Sequence, residues 1–225
     1  MKKRLLIQTV LWLASMGAVL FAAAGTLRWP VAWLYLLELG GLGVWIGLWL
    51  ARRDPGLLAE RLAPFVQAGQ RGWDKLFMAA AGLGWYGWLA LMGVDAMRLH
   101  GSAVPWWLNV CGALAVCAGV VGVQPVFRAN SYAAPVVKIQ RERGHRVIDS
   151  GPYAYVRHPM YGVALLFIAG TPLMLGSWWG LACVPLLAAL LGYRAVLEER
   201  LLIEQLDGYR EYAARVRYRF VPHVW

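Results

Sequence analysis

Charge is scarce in this sequence. Only 15% of its 225 residues are Asp, Glu, Lys or Arg, where soluble domains carry roughly a quarter. Acidic residues are the scarcer kind, 12 against 22 Lys and Arg. Cysteine is rare as well: Cys111, Cys117 and Cys183 lie inside apolar runs and match no zinc spacing. They read as small packing residues, which excludes a disulfide or Cys-based metal framework. No Gly-x-Ser-x-Gly elbow and no strand leading into a glycine-rich turn is present, which argues against a serine hydrolase and a soluble dinucleotide fold. Alternating strands of about ten residues, the mark of a membrane barrel, are missing too.

What the sequence has instead is apolar length. Residues 5–24, 30–51, 76–97 and 103–123 form apolar runs, each of about 20 residues and enough for about 30 Å of helix. Two shorter runs, 160–176 and 178–193, are separated by little more than Ser177 and read as a tight helical hairpin. The expected fold is an all-α, polytopic integral membrane protein of about six membrane helices. Four spans fill residues 1–125, and a loop, the hairpin and a C-terminal helix fill 126–225. Met1-Lys2-Lys3-Arg4 before the first run resembles a signal peptide. The apolar part exceeds the usual core of about 7–15 residues, so a retained first span is expected.

Basic residues set the orientation. The segments 2–4, 52–75, 128–157 and 194–219 hold 3, 5, 6 and 6 Lys or Arg, whereas the alternate connections hold only Arg28 and Arg98. Six spans put every rich segment on one side, which predicts that both termini are cytoplasmic. The formal net charge of +10 is then accounted for by topology and by attraction to anionic lipid headgroups. No nucleic-acid partner is expected, since no RNA-recognition or zinc-finger spacing accompanies the charge.

Within the spans, Glu38 and Asp95 are the ionisable exceptions, and such groups are functional candidates by default. Asp95 lies near a span end beside Arg98, so an interfacial ion pair is the expected account of it. Gly40, Gly41, Gly43 and Gly47 follow Glu38 and suggest close helix contact. In the connector 52–75, Asp74 stands where an N-cap for the third span is expected. Residues 126–159 form a polar stretch too rich in aromatic and branched residues for disorder, so an ordered segment over the helix ends is expected. Beyond the hairpin, Leu197, Leu201 and Leu202 alternate with charged residues as in an amphipathic helix, with Gly208 as its expected C-cap. The segment around Arg215, Arg217 and Arg219 is expected to lie along the headgroups or fold back on the loop.

Two polar clusters stand out, Tyr153–Tyr161 and Arg194–Arg200. If the hairpin leaves and returns, Arg157-His158 and Glu198-Glu199 arrive at the same membrane depth. Pro159 suits the first turn of the outgoing arm, where its missing N–H costs nothing.

The stretches Asn130-Ser131, "GHRVIDSGPYAYVRHPMYG", "EERLL", "GYREY" and "RYRFVPHVW" resemble the isoprenylcysteine carboxyl methyltransferase family. These are membrane methyltransferases related to the phospholipid N-methyltransferases. The resemblance covers the C-terminal 95 or so residues. It rests on the combination of Arg-His-Pro-x-Tyr, an apolar hairpin and Glu-Glu, while the first half matches only as generic spans. It implies S-adenosylmethionine-dependent methyl transfer at the cytoplasmic membrane face, with no metal. By similarity, His145, Val147, Tyr153, His158, Tyr161 and Glu199 are expected to bind the cofactor. Arg157, Arg194 and Glu198 are the expected catalytic residues. The implied partners are the bilayer and a lipid-like or small hydrophobic methyl acceptor.

Elementary chemistry agrees with that carry-over. S-adenosylmethionine presents a carboxylate, an ammonium and a sulfonium, so its pocket needs both signs of charge. Glu198 or Glu199 suits the ammonium, His158, Tyr161 or an arginine suits the carboxylate, and Tyr153 suits the adenine. Methyl transfer then requires alignment and exclusion of water more than acid–base help. Candidate acceptors are a prenylcysteine-type carboxylate, a phospholipid amine, or another small hydrophobic acid, amine or thiol. The acceptor's groove is expected in the first half of the chain. Two other readings compete. One is a membrane sterol-type reductase using NADPH, which shares a similar Arg-His-Pro-x-Tyr motif but resembles this chain less at Glu-Glu. The other is a non-catalytic scaffold or a transporter, which would show internal repeats and interrupted spans near mid-membrane.

Overall fold

Proline, glycine and charge punctuate the chain where the helices begin and end. A computed structural model describes residues 1–225 and is built of helices joined by short turns and loops. Helix α1 (Lys2–Ala24) stops at Gly25, whose φ of 72° supplies the left-handed conformation that closes the last turn. Helix α2 (Pro30–Arg53) starts on proline and ends where Asp54-Pro55 opens the short α3 (Pro55–Arg61); Asp54 caps α3 by accepting from the Leu57 N–H at 2.9 Å. Helix α4 (Gly72–Gly93) continues through a π-helical turn, Val94–Arg98. Helices α5 (Trp106–Val121) and α6 (Val123–Ala129) follow, then the loop to α7 (Pro159–Leu175). Gly176 in the left-handed region and a Ser177 cap turn the chain into α8 (Trp178–Ala182) and α9 (Val184–Gln205). Helix α10 (Tyr209–Arg215) precedes the final segment.

Five helical segments are long and apolar enough to cross a bilayer: Lys2–Ala24, Pro30–Arg53, Gly72–Arg98, Trp106–Ala129 and Trp178–Gln205. The sixth apolar helix, Pro159–Leu175, has 17 residues. This is a polytopic helical membrane protein, and the spans fall close to the apolar runs of the sequence. The 28 residues of Trp178–Gln205 rise about 42 Å at 1.5 Å each, about 12 Å more than a hydrocarbon core. The surplus at its end is the charged stretch after Val196, which therefore stands at the headgroup level.

The main core joins α1, α2, α4, α5 and α7 through Met16, Leu20, Tyr35, Leu89, Met92, Val116 and Leu175. Helix α7 lies along α5 much more closely than along α9, its hairpin partner in sequence. Glycine makes this possible: a Cβ on Gly119 would stand 2.7 Å from the Phe167 nitrogen, and one on Gly112 would collide with the backbone at Met174.

Three expectations need correction. Asp74 does not cap α4: Arg71 holds the N-cap position, and Asp74 lies inside the first turn with its side chain fully buried. Asp95 makes no pair with Arg98. Its Oδ2 accepts from Ser177 Oγ at 2.5 Å and Ser102 Oγ at 2.6 Å, while Arg98 donates to the Ala22 carbonyl at 3.0 Å. Gly208 does not cap α9, whose C-cap is Leu206; with a φ of 80° it is instead the N-cap of α10. The final segment folds back on the loop. The Arg157 and His158 N–H groups donate to the carbonyls of Tyr218 and Arg219 at 2.9 and 2.8 Å, with a parallel bridge between Val156 and Tyr218.

Candidate functional site

The start of α7 and the end of α9 carry the polar side chains that sequence brought forward. Pro159 fixes the first turn of α7 and leaves His158 at its N-cap position, so His158 and Tyr161 face the same way one turn apart. Their rings stack with centroids 5.4 Å apart. Tyr161 donates its hydroxyl to Glu198 Oε2 at 2.8 Å, and His158 Nδ1 lies 3.9 Å from the same oxygen. Glu198 keeps its side chain 25% exposed, whereas that of Glu199 is only 6% exposed.

Glu199 is enclosed by two arginines and the His158 ring. His158 Nε2 lies 3.1 Å from Oε1, and Arg219 Nε donates to Oε2 at 3.0 Å. Arg157 Nε lies 2.9 Å from Oε1 but is not aligned as a hydrogen-bond donor, so that contact is charge pairing alone. Behind Tyr161, Arg194 donates from Nη1 to the tyrosine oxygen at 3.0 Å and from Nε and Nη2 to Asp74 Oδ1 at 3.0 and 2.9 Å. Its Nη2 also donates to the Pro135 carbonyl at 2.7 Å. The second Asp74 oxygen accepts from Gln70 Nε2 and from the Val137 N–H, both at 2.8 Å. A chain of contacts therefore runs Asp74–Arg194–Tyr161–Glu198. It ties α4, the loop, α7 and α9 together.

These groups wall one side of a narrow cleft of about 90 Å³. His145, Val147, Tyr153, Arg157, His158, Tyr161 and Glu198 line it, while Glu199 and Arg194 stand one layer behind. The loop supplies the opposite wall. The Asn130 amide donates to the Tyr153 hydroxyl at 2.9 Å, and the Tyr212 hydroxyl donates to the Tyr153 carbonyl at 2.9 Å. His145 stacks on Tyr132 at 4.5 Å, and its Nδ1 accepts from the Gln140 N–H at 3.3 Å. Burial, with Arg143 beside it, pulls the His145 imidazole down to about 4, so it is neutral at pH 7. Burial raises the phenols of Tyr153, Tyr209 and Tyr212 well above their ordinary range, so all three remain protonated.

Sequence reasoning missed Asp74, Arg219 and Tyr209 as site residues. Tyr209 lines the cleft and is 5% exposed, yet its hydroxyl has no partner. A buried phenol of that kind is a vacant donor and acceptor for a bound polar group. Only "GYREY" in the sequence pointed to it. The cleft offers a carboxylate at Glu198, the Arg157 and His158 side chains, the free Tyr209 hydroxyl and apolar walls at Val136, Val147 and Leu206. That donor set fits a ligand carrying both an ammonium and a carboxylate on an apolar body. No group of three or more His, Cys, Asp or Glu residues is arranged to hold a metal.

Fold and site together define a polytopic helical membrane protein with a mixed-charge cleft at its basic end. Residues 107–207 match the family described as phospholipid methyltransferase. The chain is 30% identical over 121 residues to protein-S-isoprenylcysteine O-methyltransferase B of Arabidopsis thaliana, covering 49% of this chain and 58% of that protein. It is 28% identical over 114 residues to a probable protein-S-isoprenylcysteine O-methyltransferase of Oryza sativa subsp. indica, covering 49% of this chain and 60% of that protein. The chain thus spans less than two thirds of the length of these relatives. Over about half of its length the chain is thus similar to proteins named as isoprenylcysteine O-methyltransferases. The matched stretch 107–207 contains α7, α9 and the loop, which supply most of the cleft.

Proposed function

We propose that this protein is an S-adenosylmethionine-dependent methyltransferase acting at the cytoplasmic membrane face on a lipid-like or small hydrophobic acceptor. The acceptor is a prenylcysteine-type carboxylate or a phospholipid amine. The observation that carries the reading is the Tyr161–Glu198–His158 cluster at the headgroup end of the hairpin, open to a cleft with the unpartnered Tyr209 hydroxyl. The family matches to methyltransferases agree with it. The weight of Lys and Arg in the segments at this end favours its cytoplasmic placement.

S-adenosylmethionine, when bound, supplies an electrophilic methyl on a sulfonium. The chain's own residues then bind, align and exclude water. Glu198 accepts from the cofactor's ammonium, a charge-assisted contact made in a partly desolvated site. His158, with Arg157 beside it, faces the cofactor's carboxylate. Tyr209 supplies one further hydroxyl, and Tyr153, Val147 and neutral His145 flank the adenine. Arg194 and Asp74 hold Tyr161 in place, and Tyr161 holds Glu198. A preorganised wall of this kind lowers the cost of reaching the near-attack arrangement. Residues 126–225 are read as the catalytic region, with residues 1–125 as its membrane frame, which reaches the site through Asp74.

Calorimetry of the purified protein with S-adenosylhomocysteine and, separately, NADP⁺ tests the cofactor. Binding of the first and not the second is expected; binding of NADP⁺ alone would replace the methyltransferase reading with the reductase one. Radiolabelled methyl transfer into a membrane extract, followed by lipid separation, then identifies the acceptor.

A further inference from the structure

The cleft is too small for the ligand its side chains suit. Its volume is about 90 Å³, whereas sites for small organic ligands run to about 300–1,000 Å³. A nucleoside-sized methyl donor therefore enters only if one wall gives way. We propose that residues 146–150 form a lid over the cleft, hinged at Gly151 and latched by Asp149 on Arg215, which opens to the aqueous side to admit that donor. The lid presupposes the methyltransferase reading and adds how its cofactor comes and goes.

The other walls are pinned. Tyr161 and Glu198 are held through Arg194 and Asp74. Along residues 133–138, the Ala133 and Pro135 carbonyls accept from Arg61 and Arg194, and the Val137 N–H donates to Asp74. Lys138 pairs with Glu60 at 2.8 Å. Tyr153 is tied at both its hydroxyl and its carbonyl. Even the start of the loop is fixed: the His145 N–H donates to the Gln140 carbonyl at 3.2 Å, and the Tyr132 hydroxyl donates to the Gly144 carbonyl at 2.9 Å.

Residues 146–149 have nothing of the kind. No backbone N–H or carbonyl among them bonds to any group of the protein, although Arg146, Val147 and Ile148 line the cleft. Val147 rests on the small apolar cluster of Leu206, Tyr209, Tyr212 and Val216, a contact without directional bonds. A segment with few buried contacts and no backbone hydrogen bonds opens at low cost. Gly151, at its far end, has a φ of 58°. Glycine alone passes freely between that left-handed conformation and the others.

The latch is the one polar tie of the segment. Arg215 Nη2 donates to Asp149 Oδ2 at 2.6 Å, with side chains 63% and 56% exposed. An exposed pair of this kind is weak and screened by salt, so it holds a lid without locking it. Arg215 ends α10, the helix that begins with Tyr209. The lid thus closes onto the element that offers a free hydroxyl to the cleft. A ligand bonded to Tyr209 would lie beneath it.

The test bridges the latch in the full chain, purified in detergent. Cys111, Cys117 and Cys183 are replaced by alanine, Asp149→Cys and Arg215→Cys are added, and a short bismaleimide joins the new pair. Bridging before ligand is expected to slow association of radiolabelled S-adenosylhomocysteine at least tenfold. Bridging after loading is expected to slow its release at least tenfold. Equal rates in bridged and unbridged chains would overturn the proposal. Loss of preloaded ligand on bridging would overturn it too, because the closed lid would not be the bound form. Without a bridge, Arg215→Gln is expected to raise association and release together, at least threefold, with affinity within twofold of the parent. A faster release alone would make the pair a ligand-holding contact and not a latch. No binding by the unbridged parent chain defeats the methyltransferase reading itself, which separates the two failures.

Discussion

Two buried aspartates, one near each end of α4 and its π-helical extension, do different work. Asp74 is 0% and Asp95 2% exposed. Each ties the hairpin to the rest of the molecule. Asp95 does so with neutral donors only: Ser102, Ser177 and, at 3.4 Å, the Trp179 N–H, leaving its Oδ1 without a partner. Asp74 takes a guanidinium, an amide and a backbone N–H, and fills both oxygens. The first is a staple at the hairpin turn. The second lies one side chain away from Tyr161 and thus two from Glu198. A buried ion pair is a costly way to gain stability alone, so its place beside the cleft argues for positioning as its purpose.

Breaking Asp74 gives the largest expected effect. Asp74→Ala leaves the Arg194 charge buried without its partner, and loss of one member of such a pair costs about 3–5 kcal/mol. Thermal unfolding in detergent measures it. Adding Arg194→Met to Asp74→Ala is expected to restore much of the stability without restoring methyl transfer, because Tyr161 still lacks its donor. Full recovery of activity in the double variant would reduce Asp74 to a staple like Asp95. Next comes Glu198→Gln. It keeps the shape and the Tyr161 hydrogen bond but removes the charge, and S-adenosylhomocysteine affinity is expected to fall by about 10- to 100-fold, the worth of a charge-assisted contact. The melting temperature should change little.

The opposite end should respond only in stability. Asp95→Asn is expected to cost about 1–2 kcal/mol, the scale of a disturbed buried hydrogen bond, with ligand affinity as in the wild type. A change in affinity would join the two ends functionally. The smallest effect concerns His145. Its folded-state value lies near 4, below the unfolded value of about 6.5, so between those limits the unfolded chain binds more protons. Stability therefore falls as pH drops from about 6.5 toward 4 and does not change through this group above that window. His145→Gln is expected to shorten that decline in a pH series of unfolding midpoints.

Much of the fold was legible because a bilayer simplifies the reading. Long apolar runs can only be helices, and the basic segments mark one end. His158, Tyr161 and Glu198 could be placed together because a hairpin returns to the level it left. Asp74 could not be read this way. An aspartate in the first turn of a helix looks like a cap, and its partner Arg194 lies 120 positions further on. Local proximity misled at Asp95 for the converse reason: Arg98 is near in sequence, but Ser177, 82 positions away, reaches it instead. Nor could sequence divide the adjacent pair Glu198-Glu199. Which carboxylate faces the cleft depends on Arg219 folding back to claim Glu199, and no helical period shows that.

The pairing of residues 156–158 with 218–219 also sets an order of assembly. Synthesis runs from the first of these strips, through both arms of the hairpin, before the second strip exists. Until then Glu199 lacks Arg219, and the ring of Phe220 is absent from beside Tyr161 and His158. A chain caught midway through insertion would hold most of the residues of the cleft but not the strap that closes its hairpin side. Completion of the cleft is thereby tied to the hairpin's having crossed the bilayer and come back.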